Sequence, residues 1–289
     1  MTKETIKFHL PGIFRFFNIY KNLFLYIHYH PEVLKENIEI KSAYGSPTCI
    51  WNGGRVIQGY WSKEFLTEVK DFMASMNIPV RFTFTNNMLE EKHTLDTYGN
   101  MLLEIFNTGN NEIICNSDVL ENYIRNHYGN NYKYSSSTTK CLQTADTQNQ
   151  ELTKNQYDLV VLDYNHNKNF KYLKTIVNKD RCELLCNPVC PPGCVKRLEH
   201  YTNISKAQLN FSELAMECEN AGRSFWGMQQ NSNFISNSDI ENKYFPMGFS
   251  NFKLEGRSSS PLDLVDILVY YLIKDKYKGE VREFLQQMI

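Results

Sequence analysis

The 289-residue sequence predicts an α/β fold: a (β/α)8 TIM-like barrel with an N-terminal helical extension. Three observations lead there. Short runs rich in β-branched, aromatic and aliphatic residues alternate with stretches that carry apolar residues at helical spacing. Eight strand-like runs occur within about 250 residues, the usual span of that barrel. No low-complexity block or long Gly/Ser linker divides the chain, so 37–289 reads as one barrel domain and 1–36 as the extension. An open doubly wound sheet shares the alternation, and the count of eight favours closure.

In chain order, the extension carries LPGIFRFFNIYKNLFLYIHY, an aromatic-rich stretch read as a helix that plugs or flanks the barrel's bottom. Strands are expected at 38–45 (IEIKSAYG), 80–85 (VRFTFT), 112–117 (EIICNS) and 132–138 (YKYSSST). Four more are expected at 157–164 (YDLVVLDY), 182–187 (CELLCN), 233–236 (NFIS) and 251–256 (NFKLEG). Helices are expected from Ser62, over 94–106, 117–128, 169–177, 238–245 and 260–275. Ser117 and Ser238 are each followed by Asp, the pattern of a capped helix start. CLQTADTQNQELTKNQ is too polar to predict a helix with its own apolar face.

Composition sets bounds. With 42% hydrophobic and 22% charged residues the chain can build a full core. A net charge of -1 gives no electrostatic footprint for nucleic acid as a whole. The N-terminus lacks the pattern of a signal peptide, and ILVYYLI (267–273) is too short to span a bilayer. A soluble, cytoplasmic protein with no membrane partner is expected. Its eight cysteines would then be thiols.

In such a barrel the chemistry sits at the carboxyl ends of the strands. Those ends are polar here. Glu255 and Arg257 would stand in the mouth after the last strand, where an Arg can hold a carboxylate and a Glu can move protons. The pair could instead close the barrel as an internal salt bridge. With Asp163 they form the candidate catalytic set. Asn52, Arg55, Asn87 and Asn187, at the ends of other strands, are candidates to orient a substrate. Gly53 and Gly54 could present amides to an anion or simply form a turn.

The segment RCELLCNPVCPPGCVKRLEHY suggests a metal centre, because prolines and glycine hold thiols outside regular structure. Cys190 and Cys194 are the leading ligands and Cys218 the next, with Cys49 or Cys141 to complete the set. Cys115 and Cys182 read as packed strand residues, and Cys186 as either. Iron–sulfur (4Fe–4S) and zinc both accept such ligands, and the spacing does not separate them.

NPVCPPGC with His200, and FKLEGR after Tyr244-x-x-x-Gly248, resemble the U32-type (collagenase-like) peptidase family. The resemblance implies a 4Fe–4S cluster on clustered cysteines. It also implies kinship with oxygen-independent hydroxylases of RNA bases or quinone precursors. Cys190 and Cys194 match the paired cysteines, and Lys253, Glu255, Gly256 and Arg257 match the late motif. No cysteine follows Cys218, so the chain reads as a minimal, divergent member. The leading expectation is therefore an iron–sulfur enzyme acting on a small molecule or RNA base, with an unidentified electron or oxygen donor and partner protein. The alternatives are a U32-type hydrolase and a zinc-stabilised barrel that binds a ligand. Neither HExxH nor GxSxG occurs to strengthen the hydrolase reading.

Overall fold

The computed structural model describes residues 5–54, 59–213, 218 and 224–289. Eight parallel strands form a closed barrel in chain order. They are β1 (Ile6–Pro11), β2 (Ile38–Gly45), β3 (Val80–Phe84), β4 (Glu112–Cys115), β5 (Lys133–Ser136), β6 (Leu159–Val161), β7 (Cys182–Leu185) and β8 (Asn251–Lys253). Around them run α1 (Phe17–Tyr29), α2 (Lys63–Ser75), α3 (Thr97–Ile105), α4 (Asp118–Tyr128), α5 (Ala145–Thr153) and α6 (Phe170–Thr175). The ring continues with α7 (Arg197–Asn210), α8 (Phe225–Gln229), α9 (Asn237–Asp239), α10 (Pro261–Leu272) and α11 (Lys278–Gln286). The predicted fold class is the observed one. Among the described residues no helix is long and apolar enough to cross a membrane.

One strand lies elsewhere than expected, and the domain boundary at 36/37 disappears with it. Ile6–Pro11 pairs with β2 on one side and β8 on the other, so the N-terminal segment closes the barrel. Its alternation is clear in retrospect. Ile6, Phe8 and Leu10 join the apolar layer under the helices, while His9 meets Ser42 and Asn251 inside the barrel. α1 does not plug the bottom. Phe17 packs edge-on against Phe65 and Phe72 of α2, and Tyr26 packs on Phe284 of α11, which seats α1 in the outer ring. Conversely, residues 233–236 form no strand. β7 pairs directly with β8, which leaves no gap in the ring, and Ile235 N donates instead to Cys186 O (2.7 Å) above the end of β7.

Helix starts follow local chemistry. Ser62, Ser117 and Ser260 accept hydrogen bonds from the third following amide, as N-caps do. The cap near 238 is Ser236, which accepts from Asp239 N and leaves Ser238 inside α9. The polar α5 forms because its buried face is an ion-pair network. Glu151 receives Lys140, Lys154 and the Ser136 hydroxyl, and those cations hold its carboxyl down at about 2 against the effect of burial.

The barrel interior is charged where such barrels usually stack branched aliphatics. Glu183 of β7 is fully buried and bonds Arg81 Nη1 of β3 at 2.5 Å and Lys253 Nζ of β8 at 3.2 Å. Arg81 also meets Glu112 of β4 (2.8 Å) and donates to Ser135 Oγ of β5 (2.8 Å). Burial works to raise the Glu183 pKa, but Arg81, Lys253 and His9 outweigh it and hold the carboxyl far below its usual range. His9 stands 3.5 Å from Glu183, yet burial keeps it neutral, with its pKa pushed down to about 3. Removing one partner of a buried pair strands the other charge. Glu183→Gln is therefore expected to cost about 3–5 kcal/mol in urea unfolding. A change within the noise of a surface substitution would refute the central role of this carboxylate.

Candidate functional site

A cavity of about 60 Å³ opens at the carboxyl ends of the strands, above the charged interior. Tyr44, Thr83, Thr85, Thr138, Thr139, Tyr164, Leu185 and Tyr201 line it. The last strand supplies its functional face. Residues 253, 255 and 257 share the parity of an extended strand, and Lys253, Glu255 and Arg257 all line the cavity. Regular β8 pairing stops at Lys253, so something else must hold the chain on to Glu255 before it turns at Gly256–Ser259. Asn187 does this by copying a strand: its Nδ2 donates to Glu255 O (2.7 Å) and its Oδ1 accepts from Glu255 N (2.8 Å).

Each charged group on this face is held. Arg257 Nη1 donates to Thr83 Oγ1 (2.6 Å), which donates to Asn52 Oδ1 (3.3 Å). The Arg257 carbonyl accepts from Arg15 Nη1 (3.0 Å). Glu255 Oε2 accepts from Val189 N (2.9 Å), tying the strand end to the loop that carries Cys190. Lys253 lies over the Tyr44 ring, 4.2 Å from its centroid, and the Arg257 guanidinium lies 5.8 Å from the same centroid. Tyr44 is fixed in turn by its hydroxyl, which donates to Leu254 O (2.6 Å). Burial lowers the Lys253 pKa to about 8, with Arg81 and Arg257 adding to the effect and Glu183 opposing it.

The opposite rim is a latch. Arg197, the first residue of α7, donates to Asp163 Oδ1 (2.8 Å) and Thr138 O (3.0 Å) and lies 4.4 Å over Tyr164. The buried ion pair fastens α7, and with it Tyr201, across the mouth. Asn86 and Asn87 reinforce this: Asn87 N donates to Ser205 Oγ (3.2 Å) and its Nδ2 to Thr202 Oγ1 (3.2 Å).

The structure therefore brings together Glu255 and Arg257 but not the whole expected set. Asp163 does not line the cavity; its Oδ1 is taken by Arg197 and Asn165 N. Nor do Asn52, Asn87 and Asn187, whose amides hydrogen-bond a threonine, a helix and a strand end. Arg55 lies outside the described residues. Gly53 serves close packing: a side chain there would meet Thr85 O at 2.6 Å, while Gly54 reaches the cavity wall. Lys253 was visible only as part of the late motif, and Tyr44, Tyr164, Tyr201 and the threonines were not singled out. Strand parity counted back from Arg257 was the available signal for Lys253.

The cysteines do not gather. Among the described residues no three His, Cys, Asp or Glu side chains converge as a metal would require. Cys186 shares the outward parity of Cys182 and Leu184 and belongs to the core under the helices, as Cys115 and Cys182 do. Cys190 is buried against Tyr164 and Leu185. Cys49 sits beside Ser46 Oγ (3.8 Å), and burial raises its thiol to about 12. Burial also raises Cys141, partly offset by Arg197. Cys194 and Cys218 are partly exposed, and the neighbours of Cys218 lie outside the described residues. Among the described residues, then, the cysteines are not drawn together into a thiolate-bound centre.

The fold matches that of a U32 peptidase of known structure. The two share 11% sequence identity over 89% of this chain and 94% of that one, with a TM-score of 0.54. A second solved structure, a GH113 beta-1,4-mannanase, covers 98% of both chains at 12% identity, but its TM-score of 0.32 carries no weight. No family model matches the chain, and no curated protein matches it. The chain is thus a closed (β/α)8 barrel with a U32-like fold.

Thiol chemistry checks the cysteine placement. In native protein at neutral pH, a dithiobis-nitrobenzoate titration should react first at Cys194 and Cys218 and leave Cys49 and Cys186 untouched until unfolding. Rapid native labelling of Cys49 or Cys186 would contradict it.

Proposed function

We propose that this U32-like barrel is an enzyme acting on a compact, anionic small molecule bound in its mouth. The observation that carries this is the row Lys253, Glu255 and Arg257, two cations and one carboxylate presented by one strand end to one cavity. Arg257 supplies the planar donors that suit a carboxylate, and Glu255 is the group placed to accept or return a proton. Tyr164 and Tyr201, beside the Arg197–Asp163 latch, line the same cavity. Roughly 10–15 Å³ per water means that such a cavity holds only a few non-hydrogen atoms without rearrangement. A small acid fits a cavity of that size.

Arg257→Lys tests this, because it keeps the charge and loses the planar fork. Pyruvate, glyoxylate and succinate are added separately and the melting temperature is followed. At least one should stabilise the parent, and the variant should need about tenfold more of it for the same shift. No stabilisation by any of the three, or equal stabilisation of the variant, would defeat the proposal.

The iron–sulfur hydroxylase suggested by the family resemblance needs three or four thiolates on one centre, and no three gather among the described residues. No step is therefore routed through a metal. Protein purified without oxygen should be colourless and carry neither iron nor zinc in stoichiometric amount. A brown protein with absorption near about 400 nm would restore the cluster reading.

A further inference from the structure

The interior of the barrel holds a lysine in an unusual setting. Lys253 has its ammonium stem threaded between the charged interior and the cavity, 3.2 Å from Glu183 Oε1 and 4.2 Å over Tyr44. Glu183 already bonds Arg81 at 2.5 Å, so a permanent cation serves this carboxylate whether or not Lys253 is charged. Arg81 is shared with Glu112 (2.8 Å), so Lys253 is the second cation of this network when protonated and leaves Glu183 to Arg81 alone when it is not. A structural ion pair would ordinarily be sealed, yet this side chain reaches the cavity wall beside Arg257 and Glu255. Tyr44 is the shared platform: the lysine and the arginine lean on one ring, and that ring is pinned by its own hydroxyl.

We infer that Lys253 is an amine nucleophile that forms an imine with a small 2-oxo acid whose carboxylate is held by Arg257. The inference rests on the anion-binding reading of the mouth and names its substrate class. A 2-oxo acid of two or three carbons has the size the cavity admits, with its carboxylate and carbonyl on adjacent carbons. Lys253 Nζ and the Arg257 guanidinium lie 4.2 and 5.8 Å from the centroid of the same Tyr44 ring and line the same cavity.

The step balances without a cofactor. The Nζ lone pair of the neutral amine forms a C–N bond to the carbonyl carbon, giving a carbinolamine. The C–O bond then breaks, and the oxygen leaves as water with both amine protons, so no electron changes hands. Glu255 is the carboxylate at hand to pass the proton that converts the hydroxyl into leaving water.

The amine must be neutral to attack, and its surroundings favour that. Facing it are Glu183 from β7, Arg81 from β3, Tyr44 from β2 and Arg257 from the end of β8, with neutral His9 of β1 behind Glu183. Burial and the two arginines together bring the amine to about 8, where a useful fraction is unprotonated near neutral pH. Exposed lysines, near 10.4, lack that fraction.

The test is reductive trapping. Folded protein is incubated with pyruvate or glyoxylate and sodium cyanoborohydride at neutral pH, and the modified peptides are mapped by mass spectrometry. Lys253 should be labelled at least tenfold faster than the exposed lysines, with a rate that rises with pH and levels above about 8. Lys253→Arg, which keeps a cation beside Glu183, should lose that adduct. The map of the parent chain decides the matter if the variant does not fold. An unlabelled Lys253 while exposed lysines react would overturn the inference. If pyruvate or glyoxylate still stabilises the parent in an Arg257-dependent way, only the imine falls. If no acid stabilises it either, the anion-binding reading falls too.

Discussion

The carboxylate of Glu183 is the constraint around which the barrel is arranged. A buried ionised carboxylate is stable only when desolvation is offset by close, well-aligned cations. Here the offset comes from two other strands: Arg81 on β3 and Lys253 on β8. Closing the barrel brings β7 beside β8 and sets β3 across the interior, and the ion network forms only when that closure is complete. Register is fixed by the same means. A one-residue slip of β8 would turn Lys253 outward and leave Glu183 and Arg81 to balance each other alone.

The site inherits its geometry from that register. Because Lys253 must point inward to reach Glu183, Glu255 does so as well, provided the chain is held past the last regular pairing, and Arg257 lines the same cavity from the turn that follows. Asn187 secures this by hydrogen-bonding both backbone groups of Glu255. The floor of the cavity is thus an ionic lattice and its opposite rim an ion-pair latch, Arg197 with Asp163. Charged groups placed by charged groups give a mouth whose positions tolerate little drift, which suits chemistry on a compact substrate.

Much of the fold was legible. Seven of the strand-like runs announced themselves through β-branched and aromatic residues between turn signals. β1 was not recognised because IKFHLP was absorbed into the aromatic helical extension, although Pro11-Gly12 marks a turn before α1. Residues 233–236 resembled a strand in composition, but the hydrogen bonds they would need were already made between β7 and β8. At the site, Glu255 and Arg257 stood out as charges at a strand end. The asparagines also stood out, but sequence alone does not show whether an amide faces a ligand or a neighbouring backbone. Glu183 and Arg81 were hidden as single charges in apolar runs, since their meaning depends on partners a hundred residues away.

By itself, then, the sequence determined the fold class and most of the strands and pointed to Glu255 and Arg257 at a strand end, because these follow from short-range pattern. The tertiary structure decided which polar groups face the cavity and which bind the protein, and that the described cysteines lie apart. Those questions turn on distances between residues far apart in the chain. Closure of the barrel sets such distances, and local pattern does not encode them.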